Sequence, residues 1–212
     1  IQCDVKGGLH SILESYDKVN IVKMKISGVL NDVDFLDICE MRALRYLDIS
    51  DVLVDTLPDG CFYSSQLTSI ILPKTLKTIP NRCFDSSRIS GDLIIPASCK
   101  IIETLAFADC HALSRVIFEP NSHLKTIRGG YDRYSDGDGA FINSSIDSIM
   151  IPASCEAIEA TAFKGCVNLE NVSFESGSML QTIAGGFRGM YANGAFADCK
   201  SLKSITIPAQ CT

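Results

Sequence analysis

The sequence predicts an α/β repeat fold, a right-handed solenoid that places one short parallel strand in each turn of about 23 residues. Two observations carry this reading. Apolar strand ends fall at Ile26, Ile49, Leu72, Ile95, Phe118, Ile151, Phe174 and Ile207, with spacings of 23, 23, 23, 23, 33, 23 and 33 residues. A longer motif repeats as well. Ile95-Pro96-Ala97-Ser98-Cys99 returns as Ile151-Pro152-Ala153-Ser154-Cys155 and as Ile207-Pro208-Ala209-Gln210-Cys211, 56 residues apart each time. One such unit cannot bury its own apolar face, whereas stacked copies bury each other's.

The elements follow in order. Ile1 to Tyr16 lies outside the period. Leu9, Ile12, Leu13 and Tyr16 fall at helical spacing there, so Gly8 to Tyr16 is expected to be a short capping helix. Residues 1–20 are assigned as the cap and 21–212 as the solenoid of about eight strands. Within a unit, an alternating run such as Ser69-Ile70-Ile71-Leu72 reads as a strand. Pro73, Pro96, Pro152 and Pro208 stop the ladder, because proline has no N–H to donate. An inward apolar pair follows (Ile101-Ile102, Ala157-Ile158), then Ala-Phe and a polar turn on a mostly irregular convex side. The strand ends are expected to form one continuous sheet about 34 Å long, with Phe107, Phe141, Phe163 and Phe196 stacked in the core.

Alternation points two columns of side chains outward. The first is Lys23, Tyr46, Ser69, Asp92, Arg115, Ser148, Asn171 and Ser204. The second is Lys25, Asp48, Ile71, Ile94, Ile117, Met150, Ser173 and Thr206. Ile71, Ile94, Ile117 and Met150 therefore make an exposed apolar strip on the concave face, the surface that solenoids commonly use for partners. Two Gly-rich insertions, 128–139 and 184–194, are the other departure from the period. They carry Tyr131 and Tyr134, then Phe187 and Tyr191, and are expected to pack side by side outside the repeat core. The candidate partner-binding residues are thus Tyr46, Ile71, Ile94, Arg115, Ile117, Met150, Tyr131, Tyr134, Phe187 and Tyr191.

Other chemistry is sparse. The net charge of −6 argues against nucleic acid, and no apolar run approaches the ~18 residues of a membrane helix. Ile1-Gln2-Cys3-Asp4 does not read as a signal peptide, which leaves a cytosolic protein or a mature N-terminus. His10, His111 and His123 lack metal-ligand spacing, and no nucleophile elbow, P-loop or zinc-protease motif occurs. The acidic stretch from Asp132 to Gly139 departs from calcium-loop spacing. No enzyme activity, metal or cofactor is expected. The ten cysteines fall largely into repeat columns. Parallel stacking points neighbouring Cβ atoms the same way and favours free thiols over the rival bridges Cys166–Cys199 and Cys61–Cys83.

The run Leu202-Lys203-Ser204-Ile205-Thr206-Ile207-Pro208, its counterpart Leu113 to Phe118, and the Ala-Phe-x-x-Cys motif at Ala106, Ala162 and Ala195 resemble the BspA-type leucine-rich repeat, from about Val22 onward. That resemblance implies a non-enzymatic adhesion or binding domain, extracellular or at a bacterial cell surface, with a protein or glycan partner of host origin. A structural spacer in a larger surface protein is the alternative. No catalytic residue comes with the family. The edge at Ser204 to Ile207 is expected either to be the cut end of a longer array or to meet a second copy of the chain.

Overall fold

The computed structural model describes residues 1–130, 137–185, 187–188, 191–192 and 194–211. The repeat coils are parallel throughout. β1 (Gln2–Cys3), β2 (Lys23–Gly28), β3 (Tyr46–Val52) and β4 (Ser69–Ile71) form one sheet in that order. β6 (Gly91–Ile95), β8 (Leu113–Phe118), β10 (Ser148–Ile151) and β12 (Asn171–Phe174) form a second on the strand face. A narrow third sheet stacks the two-residue strands β5 (Thr78–Ile79), β7 (Ile101–Ile102), β9 (Thr126–Ile127), β11 (Ala157–Ile158) and β13 (Thr182–Ile183). These are the inward apolar pairs of the repeat. A hairpin of β14 (Phe187–Arg188) and β15 (Tyr191–Ala192) rises from the second insertion.

Two expectations about the strand face are corrected. The sheet is not continuous, because the ladder breaks between β4 and β6. Gly91 sits at φ +71°, and the register against β8 slips between Gly91 and Asp92. The extra residue of that bulge, Ser114, belongs to β8. The amide of Ser90 still donates to Thr68 O (3.1 Å), so the coils stay in step. The eighth strand is also missing, since Ser204 to Ile207 is not paired with β12. Leu202 and Ile205 pack only partly against the core there, and the apolar burial that seats Ile149 and Val172 is weaker.

The core is a one-dimensional stack. Phe62, Phe84, Phe107, Phe141, Phe163 and Phe196 lie face to face with centroids 5.0–5.4 Å apart. Phe107, Phe141 and Phe163 are fully buried, and Phe196 partly so. A main-chain ladder accompanies the rings. The amides of Phe107, Phe141 and Phe163 donate to Ala140 O, Ala162 O and Ala195 O of the following coil, at 2.7–2.8 Å. The turn cysteines close the pattern: Cys110, Cys166 and Cys199 donate their thiols back to Phe84 O, Phe141 O and Phe163 O at 3.0–3.1 Å. At the same position in other coils, Ser87 and Ser144 instead pair their hydroxyls with the sulfurs of Cys110 and Cys166.

The cap is more elaborate than its expected helix. α1 spans Leu9–Leu13, shorter than the stretch Gly8 to Tyr16, and Tyr16 is exposed. The chain tightens after Leu13, where the Ser15 hydroxyl donates to Ile12 O (2.8 Å) and the Tyr16 amide to Leu13 O. A second helix, α2 (Asp32–Cys39), was not anticipated. Asn31 caps it by accepting from the amides of Val33 and Asp34, and Asp34 accepts from the Asn31 amide in return. Fully buried Asp34 also accepts from the amides of Gly7 (2.7 Å) and Leu9 (2.9 Å), so one carboxylate ties α1 to α2. His10 Nδ1 lies 2.8 Å from Asp37 Oδ1 on the same junction.

Candidate functional site

The outward columns alternate as their spacing implies. Ile94 faces Ile117, Met150 faces Ser173, and Asp48 faces Ile71 across adjacent strands. Ile71, Ile94, Ile117 and Met150 are 43%, 55%, 41% and 57% exposed. The strip crosses the break in the sheet, because Ile71 and Ile94 line one hollow of ≈ 240 Å³ with Ser50, Lys74, Asp92 and Glu119. A second hollow of ≈ 380 Å³ lies at its other end, bounded by Arg115, Ile117, Met150, Asn171, Ser173 and Glu175. Two repeated carboxylates stiffen the rim. Glu119 accepts from the Ala97 amide and Glu175 from the Ala153 amide, each at 2.9 Å.

Arg115 borders the strip and is already engaged. Its Nε and Nη2 hold Asp92 bidentately at 2.9 and 2.7 Å, and that bond keeps the Asp92 carboxyl below the usual carboxylate range. Tyr46 is half-buried on β3. Spacing did not single out the charged lattice on the first three repeats. Lys25 Nζ lies 3.2 Å from Asp48 Oδ2 and 3.1 Å from Asp51 Oδ2, and Lys74 Nζ lies 3.2 Å from Asp51 Oδ1. Its signal was present in the second column, where Lys25 stacks on Asp48.

The insertions stand differently. Tyr131 and Tyr134 fall outside the described residues, and Phe187 and Tyr191 are described by their backbone alone, so the side-by-side packing of these aromatics lies outside the described residues. The stem of the first insertion is not outside the repeat core, as had been expected. Gly137 and Gly139 are buried, and a Cβ on Gly139 would sit 1.8 Å from Thr161 O. Thr161 is itself fully buried at φ +62° and donates to Gly130 O (2.8 Å). Arg128 clasps Glu159 at 2.8 Å beside it. These glycines therefore serve close backbone approach as much as loop flexibility.

Below β12 the unpaired segment leaves a hollow of ≈ 560 Å³ lined by Asn171, Ser173, Glu175, Ser204, Thr206 and Gln210, among others. Among the described residues, no three His, Cys, Asp or Glu side chains gather as a metal site would need, and no helix is long and apolar enough to cross a membrane.

The family model for the BspA type Leucine rich repeat region matches residues 37–131 and 135–212 in six copies. The chain belongs to this family. Among solved structures, this BspA-type chain is similar to the pneumococcal vaccine antigen PcpA, at 22% identity and a TM-score of 0.52 over 74% of its own length. It spans 31% of that antigen's chain. It is also similar to a leucine-rich repeat protein of Eubacterium ventriosum, at 15% identity and a TM-score of 0.38, covering 92% of this chain and 75% of that one. A leucine rich cell surface protein of Faecalibacterium prausnitzii follows at 18% identity and 0.35, covering 91% and 74%. No curated protein matches.

Proposed function

We propose that this chain is a non-enzymatic recognition domain, displayed at a bacterial cell surface, that binds a protein segment along its strand face. One observation carries the reading: four consecutive repeats turn an apolar side chain outward at the same position, 41–57% exposed, between Asp48 on one side and Ser173 on the other. Branched residues suit any strand, yet the other positions of the same column are Lys25, Asp48, Ser173 and Thr206. Strand propensity alone does not account for a contiguous run with hollows at both ends. Charged groups at the periphery, namely Lys74, Glu119 and Glu175, supply the polar rim of an ordinary protein interface. The surface placement takes its support from the family and from the similar pneumococcal chain, which is a vaccine antigen.

The test is an array of host proteins and glycans probed with the native chain and with the double variant Ile94→Asp, Ile117→Asp. A protein ligand held by the native chain and weakened at least about tenfold in the variant is expected, with the melting temperature unchanged. A ligand that binds both forms equally, or a bare glycan as the sole ligand, would overturn the strip as the site.

A further inference from the structure

Cys39 precedes Cys61 and Cys83 at the same 22-residue spacing, but it stands on a helix rather than in a turn. It is the last residue of α2 and is exposed, whereas Cys61 opens the Cys-Phe pair of the next coil and is buried. Their Sγ atoms lie 3.4 Å apart, and the Cys39 thiol also contacts Cys61 O. The turn cysteines, by contrast, direct their sulfurs at Phe carbonyls. A sulfur pair at van der Waals contact, one member on an exposed residue with its thiol part-buried, is an arrangement suited to thiol–disulfide exchange.

We propose that Cys39 and Cys61 are a reactive pair that closes to an internal disulfide by exchange with a low-molecular-weight disulfide, clipping α2 to the first repeats. The Cys39 thiolate attacks one sulfur of the small disulfide; its S–S bond breaks, and one small thiolate leaves. Cys61 then attacks the Cys39 sulfur of the mixed disulfide, expels the second small thiolate and releases its proton to solvent. Two protein thiols are oxidised, one small disulfide is reduced to two thiols, and no other oxidant enters. The order of attack follows from the environments. The hydrogen bond from Cys61 holds the Cys39 thiol below its ordinary value, against burial and Glu40. That same bond, with burial, pushes Cys61 up. Once Cys39 is capped, the charge that opposed ionisation of Cys61 is gone. The sulfurs must still close to about 2.05 Å, a movement open to the last residue of a helix.

The bridge would join positions 22 apart (61 − 39). That span includes β3, so closure ties the cap to the first repeats. The experiment treats the folded chain with excess oxidised glutathione at mildly alkaline pH, then measures intact mass, maps peptides and records thermal unfolding. The expected result is a mass loss of about 2 Da, a cross-linked peptide pair carrying Cys39 and Cys61, and a rise in melting temperature of about 5 °C or more. Cys39→Ser, at an exposed site, abolishes all three; Cys61→Ala does the same if it folds, and Cys39→Ser decides alone if it does not. An unchanged mass, a persistent glutathione adduct on Cys39, or a cross-link between other cysteines such as Cys61 and Cys83 overturns the proposal.

Discussion

The first three repeats and the four that follow offer the same backbone to solvent and use it in opposite ways. On the first sheet, the outward positions Lys25, Asp48 and Asp51 bond one another and Lys74. On the second, the same column carries Ile94, Ile117 and Met150, apolar side chains left 41–57% exposed. The scaffold fixes where an outward side chain stands, not whether its interactions are complete. Where charges alternate in a column, the surface satisfies itself. Where the column turns apolar, the surface is left with hydrophobic area that a partner would cover. The break at Gly91 lies between the two regions, although Ile71, on the last strand of the first sheet, already belongs to the strip.

The comparison is sharpened most by removing the tie beneath the first sheet. Asp34→Ala leaves the amides of Gly7, Leu9 and Asn31 without their acceptor in a buried site. A loss of about 3 kcal/mol is expected by urea denaturation. Because repeat arrays couple only neighbour to neighbour, hydrogen exchange should speed up across β1–β3 and leave β8–β12 nearly unchanged. Uniform acceleration along the chain would show that the two halves unfold as one unit.

Acid should separate the same regions more gently. Burial pushes the Asp48 carboxyl up, but bonds from the Ser50 amide and hydroxyl and from Lys25 outweigh it and hold it below the usual range. Lys25 and then Lys74 hold Asp51 down as well. For a depressed carboxylate, the stabilisation is complete above its unfolded pKa of about 3.9 and disappears as pH falls through the lower folded value. Amide protection in β2–β4 is therefore expected to weaken below about pH 4 before that of β10 and β12, whose column-two residues carry no charge. Loss of β10 and β12 first would contradict the lattice. Smallest of all is a conversion of one surface into the other. Ile94→Lys places a cation beside Asp92 and should alter stability by less than about 0.5 kcal/mol, while reducing binding of a hydrophobic dye. A drop of several kcal/mol would mean that Ile94 is packed rather than displayed.

Much of this was legible in the chain itself. The 23-residue period set the number and order of coils, and alternation within Ser69 to Leu72 or Gly91 to Ile95 sorted buried from exposed residues, because a strand has a period of two whatever its surroundings. The Ala-Phe motif located the ring stack. The charged lattice could have been read from Lys25 over Asp48 in a single column. The Asn31–Asp34 capping box, another local signal, would have marked α2.

The sequence by itself thus determined the coil, the columns and the run of apolar side chains at positions 71, 94, 117 and 150, all of which depend on spacing along the chain. Only the tertiary structure decided the rest. The strand face divides into two sheets between β4 and β6. Asp34 is buried because α1 folds back across α2, and Gly137 and Gly139 are buried because Thr161 comes from the next coil. Cys39 meets Cys61 because the end of α2 lands on the first Cys-Phe turn. Asp34 reaches Gly7 and Leu9, 27 and 25 residues back and off the period, whereas Cys39 meets Cys61 at one coil's spacing of 22, and there the path of the backbone decides how closely the neighbours approach.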